Sequence, residues 1–99
     1  MIHVIALITA RPGQRQALLA EFRKIIPLVH AEAGCIEYGP ATDTETSPAK
    51  FGSDAFVVIE KWESPDALKA HAASPHMAAY AAKTRDMIAS RVIHVLTPG

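Results

Sequence analysis

One cysteine, one tryptophan and no asparagine occur in these 99 residues, and the scarcities narrow the field. A lone Cys35 cannot close a disulfide within the chain, which fits a reducing cytoplasm. Apolar stretches run only a few residues before a charge interrupts them, too short for a membrane-spanning helix. Ten basic and ten acidic residues cancel, and no basic run stands out. Nucleic acid and anionic membrane surfaces are therefore not expected as partners. No glycine-rich phosphate fingerprint follows a strand, so a bound nucleotide is not indicated. The N-terminal Met1-Ile2-His3-Val4 enters a strand pattern directly, without a basic leader or cleavage site, so no secretory segment is expected.

What is present is a chain that is 49% apolar, enough for one compact core and one domain spanning residues 1–99. A domain this small gains from pairing with a partner. Ile2 to Thr9 reads as a strand with both faces mainly apolar, so both should be covered. Arg11-Pro12-Gly13 breaks it, and a helix follows to about Ala33. Leu18, Phe22, Ile25 and Val29 make its core stripe, while Gln14, Arg15, Arg23 and Lys24 face water. Pro27 should kink or divide this helix, and Gly34 should end it.

Cys35 to about Asp43 is a second strand, weakened by Gly39-Pro40 and so expected at an edge or bulge. Thr44 to Asp54 reads as an exposed hairpin loop, and Ala55 to Trp62 as the third strand. Ser64 before Pro65 is a helix-start signal, and Ser74 before Pro75 repeats it. The second helical region should thus be two pieces, the latter reaching about Ala89 with Met77, Tyr80, Ala81, Thr84 and Ile88 inward. Arg91 to Leu96 closes as a short strand. The order βαββαβ is the split-βαβ arrangement, an α+β fold of ferredoxin-like topology. It implies a four-stranded antiparallel sheet with the helices on one face. The opposite apolar face is then a natural homodimer surface.

Chemistry concentrates between Trp62 and His76. Trp62 ends a strand and is either a core residue or the flat wall of a pocket for an aromatic substrate. His71 shares an inward helix face with Ala67 and Leu68. It is either bonded to the backbone or poised as a general base titrating near neutrality. His76, at a helix start, is either a surface residue or a neutral proton acceptor, and Tyr80 four residues on could pair with it. Tyr38 and His3 are further pocket candidates; His94 and Arg91 are polar groups near sheet positions, and His30 should be solvated. A five-residue spacing across a Ser-Pro break does not align His71 and His76 as metal ligands, so no metal is expected. Cys35 reads as a structural thiol.

The order of these pieces resembles the antibiotic-biosynthesis monooxygenase (ABM) domain family. The resemblance rests on Ala10-Arg11-Pro12-Gly13, Glu32-Ala33-Gly34-Cys35-Ile36-Glu37-Tyr38 and Phe56 to Ser64. It continues through Ala67-Leu68-Lys69-Ala70-His71 and Ser74-Pro75-His76, and so covers nearly the whole chain. It implies a dimeric α+β barrel of ferredoxin-like protomers, each with a pocket between helices and sheet. Trp62 and His71 match the family's tryptophan and histidine as pocket residues, and His76 matches its second histidine. Family members include cofactor-independent oxygenases of hydroquinones and phenols, haem-degrading enzymes and a sugar-phosphate isomerase. The haem-degrading and polyketide-oxidising branches use a pocket asparagine that this chain lacks, which speaks against the haem reading, and His3 could stand in a comparable place. The expectation is a cofactor-free monooxygenase of an electron-rich phenol or hydroquinone, with His71 and His76 catalytic and Trp62, Tyr80, Tyr38 and His3 around the substrate. The alternatives are an acid/base isomerase and a non-enzymatic small-molecule-binding dimer.

Overall fold

The structure, a computed structural model, describes residues 1–99. Its elements are β1 (Ile2–Ala10), α1 (Arg15–His30), β2 (Cys35–Ala41), β3 (Ala55–Trp62), α2 (Pro65–Ala72), α3 (Pro75–Thr84), a 3-10 turn (Arg85–Met87) and β4 (Ile88–Leu96). The four strands form one antiparallel sheet in the order β2-β3-β1-β4, the ferredoxin-like topology expected from the element order. Strand β2 lies at an edge, and its register slips between Cys35 and Glu37 rather than at Gly39-Pro40.

Side-chain alternation sorts the two faces. Ile2, Val4, Ala6, Ile8 and Ala10 of β1 are buried, as are Phe56, Val58, Glu60 and Trp62 of β3, all on the face the helices cover. Helix α1 lays Leu18, Leu19, Phe22, Ile25 and Val29 onto that face. Phe22 is its centre, with ring centroids 5.4 Å from Tyr38, 5.7 Å from Phe56 and 6.1 Å from Tyr80. On the opposite face no helix covers Ile59, Val92 and Leu96, and they remain exposed.

Three local expectations change. Helix α1 runs unbroken past Pro27 and stops at His30. Proline in the last turn removes a single hydrogen bond, and its own carbonyl still accepts from Ala31. Helix α3 stops at Thr84, whose buried hydroxyl donates to the Tyr80 carbonyl at 2.8 Å. Ile88 therefore starts β4, opposite Ala10, instead of continuing the helix. His30 stands exposed, but its Nε2–H donates to the Tyr38 carbonyl at 2.9 Å and ties α1 to β2.

Gly34 decides how closely α2 approaches the sheet. Its φ of +83° is a left-handed value, and a Cβ there would lie 2.6 Å from Cβ of Ala67. Only glycine meets both demands, so α2 packs directly on the turn between α1 and β2. Ser64 caps α2 by accepting from the Ala67 N–H at 3.2 Å, with Pro65 at the first helical position.

Candidate functional site

Helices and sheet enclose a cavity of about 380 Å³. Its lining is apolar or aromatic except for Glu60, His71 and Arg91. A pocket of this size and character suits a small aromatic molecule held by a few directed polar groups.

His71, on α2, is 5% exposed, and its ring centroid lies 4.7 Å from Trp62 and 5.4 Å from Tyr38. Its Nδ1 is 2.9 Å from Oε2 of Glu32, and its Nε2 has no hydrogen-bond partner in the chain. Glu60 projects from β3 among the same aromatics and accepts the Trp62 indole N–H at 2.9 Å. Burial raises the Glu60 carboxyl above its ordinary range, while the Trp62 bond and nearby His71 pull it back. Burial also pushes the Tyr38 phenol far up and the Tyr80 phenol to about 12, the latter tempered by Arg91. Both tyrosines are therefore neutral hydrogen-bonding groups at ordinary pH. Burial, then Glu32 and Glu60, raise the Cys35 thiol, which makes it a poor nucleophile.

The expected residues divide between the cavity and its surroundings. His71, Tyr38 and Tyr80 line it. Trp62 does not; at 0% exposed it lies behind the wall, packing on His71 and holding Glu60. An aromatic plate against the substrate is thus the wrong picture for Trp62, because strand parity buries it in the core. His3 belongs to the opposite face, across from Lys61 and Leu96, since odd positions of β1 point away from the helices. His76 also lies outside the lining. It makes no bond to Tyr80; its Nε2 reaches Glu32 Oε2 at 2.8 Å and Ser74 Oγ at 3.2 Å.

That geometry corrects the spacing argument about the two histidines. The break between α2 and α3 turns the chain back, so His71 and His76 meet on a single carboxylate oxygen. Ser74 helps: instead of capping α3, its hydroxyl donates to the His71 carbonyl at 2.7 Å. The donor atoms of Glu32, His71 and His76 lie within 4.8 Å of one another, the geometry of a candidate metal cluster. Two ligands on one tetrahedral zinc sit roughly 3.3 Å apart, given bonds of about 2.0–2.1 Å. The observed 2.9 Å and 2.8 Å are hydrogen-bond lengths, so these groups share protons in this arrangement.

Glu60, Glu32 and Arg91 are the polar groups that sequence reasoning left out of the site. The signal for Glu60 is an acid that shares strand parity with the apolar Phe56, Val58 and Trp62. Glu32 had no local signal, lying 39 residues from His71 and 44 from His76.

Residues 1–83 match the model of the antibiotic biosynthesis monooxygenase family. The chain belongs to that family. It is 42% identical to Probable quinol monooxygenase YgiN of Escherichia coli K12, over 100% of this chain and 99% of that protein. Among solved structures, PA3566 of Pseudomonas aeruginosa has a TM-score of 0.85 at 30% identity, covering 99% of this chain and 93% of that one. Rv0793 of Mycobacterium tuberculosis has a TM-score of 0.83 at 29% identity, covering 99% and 94%. Family membership and the E. coli relative support a monooxygenase. No helix is long and apolar enough to cross a membrane.

Proposed function

We propose that this chain is a cofactor-independent monooxygenase that oxidises an electron-rich phenol or hydroquinone with O₂. The observation that carries the reading is an apolar cavity into which two groups able to move protons, His71 and Glu60, both face. The name of the E. coli relative, a quinol monooxygenase, supports the substrate class.

The chemistry asks little of the protein. His71 Nε2 takes the phenolic proton, and the anion then passes one electron to O₂, since it is far easier to oxidise than the neutral phenol. The radical pair joins at the neighbouring ring carbon, forming a C–O bond, and a proton makes the hydroperoxide. Loss of the C–H proton with O–O cleavage expels water and leaves a new carbonyl. Hydroquinone plus O₂ thus becomes hydroxyquinone plus water, with all four electrons drawn from the substrate. Glu60, whose carboxyl burial makes harder to ionise, is placed to supply the proton to the departing oxygen. Tyr38 and Tyr80 flank the ring, and Arg91 at the β4 side steadies negative charge on oxygen. His76 acts from outside the cavity, Trp62 supports Glu60, and His3 takes no part in substrate binding.

The active unit in this reading is a homodimer joined through the open sheet face, where Ile59, Val92 and Leu96 are otherwise uncovered. The reducing environment suited to a lone Cys35 fits the cytoplasm. The test is O₂ uptake by chelator-treated, flavin-free protein with a panel of hydroquinones. Wild type should consume O₂ in proportion to substrate, and His71→Ala should lose about 10²–10⁴-fold in rate. Equal uptake by the two proteins would remove His71 as the base. The facing His71–Glu60 pair also suits a second reading, an acid/base isomerase, which would turn over its substrate without O₂.

A further inference from the structure

Beyond the cavity wall, one carboxylate is placed where nothing in the reaction above uses it. Glu32 sits in the tight turn after α1, and its side chain is 14% exposed. A single oxygen of it, Oε2, receives both His71 Nδ1 at 2.9 Å and His76 Nε2 at 2.8 Å. The three residues come from three separate segments: the α1–β2 turn, α2 and the start of α3. Three backbone features bring them together. Gly34 lets α2 settle against the turn that carries Glu32. The Glu63 N–H donates to the Gly34 carbonyl at 2.9 Å, fixing the entry to α2. Ser74 bonds the His71 carbonyl and lies 3.2 Å from His76 Nε2, holding the turn between α2 and α3.

We propose that Glu32 is the positioning residue for His71, and that His76 orients Glu32 by donating a second hydrogen bond to the same oxygen. The inference rests on His71 being the base. An ionised carboxylate accepts hydrogen bonds and donates none, so both ring nitrogens that touch it carry their protons there. With its proton held on Nδ1, the His71 ring presents an unprotonated Nε2, the nitrogen left without a partner in the chain. A free imidazole exchanges between tautomers; here only the useful one is retained. Once His71 has taken the substrate proton, the adjacent carboxylate also stabilises the imidazolium. His76 has a different task. Its side chain is 23% exposed against 6% for His71, and it lines no part of the cavity. Its bond to Oε2 keeps Glu32 from swinging away into solvent, which explains why a histidine stands there without touching substrate.

The same logic operates where a buried Asp fixes the histidine of a serine-protease triad, and removing that carboxylate's charge costs about 10⁴-fold in kcat. A more exposed Glu32 should be worth less, about 10²-fold.

Nitrogen-15 NMR of the ligand-free protein reads the His71 tautomer directly and depends on no substrate. Wild type should show Nδ1–H, Glu32→Leu should move the ring toward Nε2–H, and His76→Phe should keep Nδ1–H. With whichever hydroquinone wild type consumes, Glu32→Leu should lower kcat about 10²-fold while KM stays within about threefold. His76→Phe should lower kcat by less than about tenfold. A purely structural cluster would give reduced thermal stability with tautomer and kcat of the folded fraction unchanged. An Nε2–H His71 in wild type overturns the proposal, even if Glu32→Leu fails to fold. So does a folded Glu32→Leu variant that retains both the Nδ1–H tautomer and wild-type kcat. If no hydroquinone is consumed by wild type, the oxygenase reading fails, and the tautomers still decide the role of Glu32.

Discussion

At the α2 end of the cavity each polar group is held by another, whereas at the β4 end the side chains stand open. Glu60 is fixed by the Trp62 indole, and the His71 imidazole by Glu32, amid packed aromatic rings. Across the cavity, Arg91 has no ion-pair partner in the chain, and Ile93 and Val95 are 53% and 56% exposed. The difference separates two tasks. Proton transfer needs groups fixed to a fraction of an ångström, which buried hydrogen bonds and packing supply. Recognition and assembly need surface left free for another molecule, and β4 offers that.

The largest effect should come from breaking the closed end at its base. Gly34→Ala adds a Cβ at a left-handed backbone position and directly against Ala67. The backbone cost of about 1–2 kcal/mol and overpacking of about 1–3 kcal/mol together predict a loss of about 2–5 kcal/mol, read from urea unfolding. The surviving folded protein should also lose the contact between α2 and Glu32, and with it most activity. A stability within about 0.5 kcal/mol of wild type, the usual range of surface changes, would mean that Gly34 does not anchor α2.

Glu60→Gln sharpens the comparison through pH. Folded Glu60 keeps its proton to higher pH than the unfolded chain does, so the folded state binds more protons above the ordinary value of 4.5. Its contribution to stability is therefore complete below that value and is lost as pH rises through the elevated one. Glutamine can still accept the Trp62 bond but cannot ionise. Thermal melts from acid to neutral pH should show a shallower decline for the variant than for wild type. Its turnover should fall about 10-fold or more if the carboxyl donates the proton to oxygen. Parallel melting curves for the two proteins would show that Glu60 is no harder to ionise in the fold than outside it.

Val92→Ser, on the open face of β4 opposite Leu7, should have the smallest effect on the single chain, within about 0.5 kcal/mol. Light scattering at micromolar concentration should find wild type as a dimer, with the variant's dissociation constant raised several-fold if the partner covers this strand. An unchanged dimer would place the interface away from the open sheet face.

Much of this architecture could be read before any coordinates. The Leu18-Phe22-Ile25-Val29 stripe and the paired Ser-Pro signals are local patterns, and local patterns survive folding when the core rewards them. The pocket histidine followed from helix spacing to Leu68. Misplacements arose where a residue's role depended on distant chain. Trp62 shares its parity with Phe56 and Val58, yet parity cannot separate a cavity wall from the layer behind it. His3 sits at an odd position of β1, and because both faces of that strand are mainly apolar its parity alone does not say which face the helices cover.

The sequence by itself determined the order of elements, the family and the inward direction of His71. Each is encoded over spans of a few residues, in periodicity, capping and turn chemistry. Only the tertiary structure decided what His71 is bonded to. Glu32, His71 and His76 meet because Gly34 allows α2 to sit on the turn after α1, and because the chain doubles back at Ser74. Hydrogen bonds spanning 39 and 44 residues leave no periodic trace, since their partners are set by how helices dock and not by neighbours in the chain.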